Sequence, residues 1–148
     1  MYHPRLSQAL AVVGCIDPDV YTTGAYTDDV VDMSKHTRVM YIVQAGTLGA
    51  SATINFGVYG DTTSGGSFST LITGKSITAL TQAGTDSDKQ AIVEVTGEEV
   101  KAQGFRYLRG TLTVGVATGD VGVLTIADHS RYAPASELDL ASVDEIVA

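Results

Sequence analysis

The sequence predicts an all-β fold, an antiparallel β-sandwich or jelly-roll-like barrel with extended N- and C-terminal arms. Three observations carry that prediction. Apolar and polar residues alternate with a period of two, polar glycine-containing turns recur at short intervals, and no segment sustains the 3.6-residue apolar period of an amphipathic helix. The composition agrees: of 148 residues, 18% are charged and 44% hydrophobic, with 16 Gly. That balance is common in β proteins that bury much of their surface.

Residues 1–25 contain Pro4, Gly14, Pro18 and Gly24. These breakers argue against a long regular element, so the segment reads as an N-terminal arm with a first strand. Within it, LSQALAVVGCIDPD has the look of a lipobox at Val12–Cys15. However, only Arg5 and His3 supply basic character, and Ser7 and Gln8 interrupt the apolar run that a leader needs over roughly 7–15 residues. The stretch reads better as arm plus strand, with Leu6, Leu10, Val12 and Cys15 as buried contacts.

RVMYIVQAG (38–46) and ASATINFGVYG (50–60) are strand-like. The second puts Ile54, Phe56 and Val58 on one face, with Asn55 and Tyr59 on the other, and AGTLGA between the two reads as a short hairpin connection. After the loop DTTSGGS (61–67), shorter strands are expected around 68–73 and 76–80. QAIVEVTG (90–97) is a strand, and EEVKAQG one helical turn closed by Gly104. FRYLRGTLTVGVA sets Leu108, Gly110, Leu112, Val114 and Val116 against Tyr107, Arg109, Thr111 and Thr113. With the turn TGD and the return VGVLTIAD (121–128), it reads as a final hairpin. Residues 26–130 thus form the predicted sandwich core.

Residues 131–148 form a C-terminal arm after the last strand. Leu138, Leu140, Val143, Ile146 and Val147 are too apolar for a disordered tail. They read as side chains buried on another surface, of this subunit or a neighbour. The alternative is a short amphipathic helix capped by Ser136 and folded on its own domain.

Charge and chemistry narrow the function. A net charge of −8 with 9 scattered basic residues argues against nucleic-acid binding, which needs clustered Lys and Arg. No apolar run approaches the roughly 20 residues of a membrane helix. Cys15 is the single cysteine, so no intrachain disulfide is possible. His3, His36 and His129 show no HxH or HExxH spacing, and no G-x-S-x-G elbow exposes a serine. His129 beside Asp128 and Arg131 reads as a surface polar cluster. GDTTSGG and GTDSDK lack the spacing of calcium or phosphate loops and read as hairpin tips, with calcium as the alternative. If Val30 and Val31 lie in a strand, Asp28 and Asp32 share a face and Asp29 opposes them. Asp32 is expected to pair with Lys35 or Arg38. No enzyme activity, cofactor or metal is expected.

Four runs carry a family resemblance: AVVGCIDPDVYTTGAYTDDVVDMSKHTRVMYIVQAGTLGASATINFGVYG, then ITGKSITALTQAG, then IVEVTGEEV, then FRYLRGTLTVGVATGDVGVLTIADHSRYAPAS. Together they resemble small virion proteins encoded beside the major capsid gene of tailed bacteriophages. The shared pattern is a strand with V-D-M-S and R-V-x-x-I-V, a Gly-rich turn, A-T-I-x-F, an RY-R-x-x-x-T-V-G strand and a closing RYAPA-like segment. The resemblance implies a capsid decoration (cement) protein on the outer capsid surface of a virion. It would bridge neighbouring major capsid proteins as a homo-oligomer, with the trimer favoured by analogy and the dimer as alternative, and would contact neither nucleic acid nor membrane. The expected partner contacts are Tyr2, Leu6 and Leu10 in the N-terminal arm and Tyr132, Leu138, Leu140 and Ile146 in the C-terminal arm. The competing readings are a carbohydrate- or receptor-binding virion module, disfavoured by the absence of Trp, and a head-completion or tail protein.

Overall fold

The computed structural model describes residues 5–128 and 134–147. Within them, nine strands form two antiparallel sheets packed face to face. The strands are β1 (Leu10–Tyr21), β2 (Gly24–Asp32), β3 (Arg38–Leu48), β4 (Thr53–Asp61), β5 (Thr70–Ser76), β6 (Leu80–Thr81), β7 (Gln90–Thr96), β8 (Tyr107–Gly115) and β9 (Gly119–Asp128). One sheet has the order β1-β9-β3-β7. The other has β2-β8-β4-β5, with β6 also paired to β4.

This topology corrects two expected hairpins. β3 and β4 lie in different sheets, as do β8 and β9. The links at 49–52, which holds Gly49, and at 116–118, flanked by Gly115 and Gly119, therefore carry the chain across the sandwich and do not turn it within a sheet. The reason lies in burial, since both members of each pair offer an apolar inner face and pack those faces against each other. The strands expected at 68–73 and 76–80 are displaced to β5 and the two-residue β6. Phe68 instead lies in a loop at φ 49°, buried, with the Arg109 guanidinium 4.6 Å from its ring centroid.

Despite its breakers, the N-terminal region contains a 12-residue strand. β1 absorbs them as irregularities of register, one between Val12 and Gly14 and one between Ile16 and Asp19. Pro18 occupies the second, on an edge strand, where a missing N–H costs no ladder bond. A short helix, α1 (Leu6–Ala9), precedes β1, with the Gln8 side chain accepting from the Arg5 N–H.

The helical turn read before Gly104 is α2 (Gly97–Ala102). Thr96 Oγ1 accepts from the Glu99 N–H and Glu99 Oε2 accepts from the Thr96 N–H, satisfying two donors that the helix start leaves free. Gly104, at φ +78°, lets the chain leave in the left-handed region.

The core follows the alternation. Ile54, Phe56 and Val58 on β4 and Leu108, Leu112 and Val114 on β8 face Val39, Tyr41 and Val43 on β3 and Val121 and Val123 on β9. Tyr41 and Phe56 join the sheets with ring centroids 5.5 Å apart. Gly110 makes room for them, because a Cβ there would stand 2.5 Å from Phe56 Cζ. Val116 departs from the expected inward series: it lies past the end of β8 at φ 68° and is exposed.

Candidate interaction surface

The two outer faces of the sandwich differ in chemistry. On the β2-β8-β4-β5 sheet the outward positions include Thr27, Arg109, Thr111, Thr113, Asn55 and Tyr59. The face is mainly polar, as expected of a solvated antiparallel sheet, with exposed Val30 and Leu71 at the two ends of the Arg109–Tyr59 row.

The β1-β9-β3-β7 sheet is apolar on both faces. Val39, Tyr41 and Val43 point inward, so Met40 and Ile42 between them point outward. Register then assembles outer rows. Val12, Ile126 and Met40 are neighbours across β1, β9 and β3, and Cys15, Leu124, Ile42 and Ile92 span all four strands. Ile92 is 62% exposed, and the rest of these rows are half-buried. The polar residues lie at the margins: Arg38 paired with Asp128 at one end, Gln44 and Gln90 at the other, Glu94 on the edge strand.

The terminal segments extend this face past β1. Pro134 leads into a 3-10 turn, Ala135–Leu138, and the following residues run beside β1. The Val12 N–H donates to Asp139 Oδ1 (2.6 Å), and the Leu140 N–H donates to the Val12 carbonyl (2.8 Å). A groove of about 230 Å³ opens between the termini, lined by Leu6, Leu10, Val12, Ile126, Val143 and Ile146 among others. A second, also about 230 Å³, shares Leu10 and Ile126 and reaches Met40, so the two are continuous across the sheet.

Of the expected contact residues, the structure brings Leu6, Leu10 and Ile146 into that one groove. Leu138 packs on the protein's own core and Leu140 is half-buried beside β1. Tyr2 and Tyr132 lie outside the described residues. The sequence reading missed Met40, Ile42, Ile92, Leu124 and Ile126. Their signal was available in VMYIV and VLTIA, where the alternation lapses into continuous apolar runs of the kind seen in strands covered on both faces.

Behind the face sits a buried carboxylate. Asp28 on β2 is 5% exposed and accepts a hydrogen bond from Thr125 Oγ1 on β9 and another from the Asp29 N–H. Burial is the larger effect and pushes its pKa up to about 6, against these hydrogen bonds. Asp29 instead accepts from the Cys15 N–H. A register shift between Thr27 and Val30 turns Asp28 inward, away from the face it was expected to share with Asp32. Asp32 itself pairs with Arg106 through two bonds of 2.9 and 2.8 Å, in place of the expected Lys35 or Arg38. Arg38 pairs with Asp128, while His129 and Arg131 lie outside the described residues.

The remaining polar features serve local structure. Asp61 accepts from the Thr63 and Phe68 N–H groups, and Asp86 from the Thr81 N–H, so both carboxylates close their own loops. An open concavity of about 610 Å³ at the far end of the sheet is lined by Asp19, Asp88 and Asp120 with Gln44 and Gln90. Among the described residues, no three His, Cys, Asp or Glu side chains are placed to hold a metal ion. No described helix is long and apolar enough to cross a membrane.

No protein-family model and no curated protein matches the chain. Solved structures do. VP2 of infectious bursal disease virus, in a subviral particle, superposes with a TM-score of 0.52 at 9% identity over 86% of this chain. The fold is one found in a virus particle. The match takes in 34% of the VP2 chain, so this protein spans about a third of that length. A protein of the disulfide-linked pili of Bacillus endospore appendages is matched over 88% of this chain and 99% of its own at 15% identity, but its TM-score of 0.36 carries no argument.

Proposed function

We propose that the protein is a structural component of a virion, a decoration protein that binds the outer capsid surface of a tailed bacteriophage and bridges neighbouring major capsid proteins as a homo-oligomer. The observation that carries the reading is the one-sided sandwich. One sheet presents a mainly polar outer face, with Val30 and Leu71 as its apolar exceptions, while the other presents apolar rows that run into the groove between the termini. Single exposed apolar residues are ordinary, but a contiguous apolar face rimmed by polar groups marks an association surface. The capsid-like fold and the sequence resemblance support the same role.

The physical logic is linkage. A protein that binds the assembled shell and not free subunits stabilises the shell. Several modest contacts made by one oligomer add through effective concentration. The net charge of −8 suits a protein that faces away from packaged DNA.

The test is co-sedimentation of the purified protein with capsids of the phage whose genome carries its gene, stripped of the protein, with thermal melting of the decorated shells. Saturable binding and a raised melting temperature are expected. Capsids that pellet without the protein would overturn the reading.

A further inference from the structure

We infer that the concavity between the turn at 33–37, α2 and the residues entering β8 binds an organic carboxylate, a single negative charge carried on an apolar body. The inference goes beyond the virion role and does not rest on it.

Three chain segments build the site and are joined by backbone bonds. The Met33 N–H donates to the Arg106 carbonyl (3.0 Å), and the Gly97 N–H donates to the Thr37 carbonyl (2.8 Å). The opening they enclose is about 430 Å³, within the usual range for small-molecule sites. Buried Met33 and Val100, with half-buried Phe105, supply its apolar wall.

His36 gives the site its polarity. The residue lines the opening yet is only 3% exposed. Its Nδ1 is sealed from solvent without a hydrogen-bond partner. Nε2 also lacks a partner but is not sealed, so it faces the opening. Burial, and then the charge of Lys35, hold the imidazole pKa below its ordinary value, so the ring is uncharged near neutral pH. A buried N–H without an acceptor is the costlier orphan, which leaves Nδ1 a bare lone pair and puts the proton on Nε2. The ring therefore offers a ligand a donor.

Charge selects the ligand. Lys101 makes no ion pair among the described residues. Arg106 commits Nε and Nη2 to Asp32 and leaves Nη1 unbonded. Lys35, Lys101 and Arg106 thus stand against Asp32 and Glu98, a local positive excess on a chain of net charge −8. One surplus positive charge suits a monoanion, and the two carboxylates oppose a dianion such as phosphate. The apolar wall adds affinity only for a ligand with a hydrocarbon part. A free small acid and the C-terminal residue of a peptide both have that chemistry.

NMR titration of the full chain with benzoate and with N-acetyl-leucine tests the inference. The ring nitrogens of His36 are followed, assigned by comparison with His36→Phe. At least one acid should shift Nε2 saturably, with a dissociation constant on the order of 1 mM. Tighter benzoate binding points to the free acid as the source, and tighter N-acetyl-leucine binding to a chain terminus. The neutral amides of the two acids should bind about tenfold more weakly. Lys101 and Glu98 are exposed, so their variants leave the core untouched. Lys101→Gln should raise the dissociation constant about threefold and Glu98→Gln should lower it. The inference is overturned if neither acid shifts His36 saturably, or if the amides bind as tightly as the acids. It is also overturned if both charge variants bind like the wild type, or if inorganic phosphate binds more tightly than either acid.

Discussion

Thr125 on β9 donates its hydroxyl hydrogen to the carboxylate of Asp28 on β2, and the bond passes through the interior from one sheet to the other. A charge in that position works against burial. The Tyr41 hydroxyl is also fully buried without a hydrogen-bond partner, and the nearby Asp28 charge, added to burial, raises its pKa. Cys15 and Asp29 are the other ionisable groups whose electrostatics couple to Asp28.

The Asp28 pKa of about 6 therefore makes stability depend on pH. The folded state holds the Asp28 proton more tightly than the unfolded chain, where the pKa is near 3.8. Stability rises as pH falls from about 6 towards 4, and the ionised form costs on the order of 2–3 kcal/mol at neutral pH. Asp28→Asn removes the ionisation and keeps the shape, and the Thr125 hydroxyl can rotate to accept from the new amide. Urea unfolding of the variant should show equal or greater stability at neutral pH and a flatter profile from about pH 7 to 5. Matching slopes for the two proteins would contradict the assignment.

Gly14 is the floor of the Asp28 site. A Cβ at Gly14 would lie 2.6 Å from Asp28 Oδ1, which is itself held by the Asp29 N–H. Gly14→Ala should cost about 1–3 kcal/mol through overpacking. The cost should shrink in an Asp28→Ala background, because the clashing atoms are gone. A double-mutant cycle by urea denaturation reads the coupling directly, and additive effects would mean that the strand relaxes elsewhere.

Asp32 runs opposite to Asp28. The Arg106 guanidinium holds its carboxyl well below the usual carboxylate range, helped by the Ser34 N–H. This contribution is present above the unfolded pKa and fades as pH falls through the acid range. Arg106→Gln should bring the Asp32 titration, followed by carboxyl carbon NMR, back towards an ordinary aspartate. The pair is partly exposed, so its effect on the melting temperature should be small and should shrink further in high salt.

The sequence made much of this fold legible, and where it misled, the causes are specific. Alternation in TINFGVYG and RGTLTV assigned inward residues correctly because each strand has one polar face. It could not say which sheet a strand joins: a glycine-rich link suits a hairpin and a crossing equally, and cross-sheet packing decided for the crossing. Asp28 was assigned to the face of Asp32 because period two fails across a bulge. The apolar outer face was overlooked because Met40, Ile42 and Leu124 sit in runs that read simply as strand. The terminal residues were chosen for their apolarity, and Leu6, Leu10 and Ile146 do converge, although nothing in their spacing shows that 127 positions separate Val12 from the Asp139 that receives its N–H.

That long-range contact gives the last prediction. β1 is an edge strand, and an unpaired edge invites pairing with another chain. The C-terminal segment covers it at Val12, whose N–H donates to Asp139 and whose carbonyl accepts from Leu140. Asp139→Ala leaves that N–H without its carboxylate partner and should cost about 1–2 kcal/mol. Truncation after Pro134 removes both bonds and the core contacts of Ala135 and Leu138, so it should lower the melting temperature as well as open the edge. Hydrogen exchange at the Val12 amide should accelerate in both variants, while amides of β3 and β8 in the core keep their protection. The truncated protein should also aggregate more readily on standing, through β1 pairing with β1. Unchanged exchange at Val12 in the truncated protein would show that the sandwich alone protects the edge.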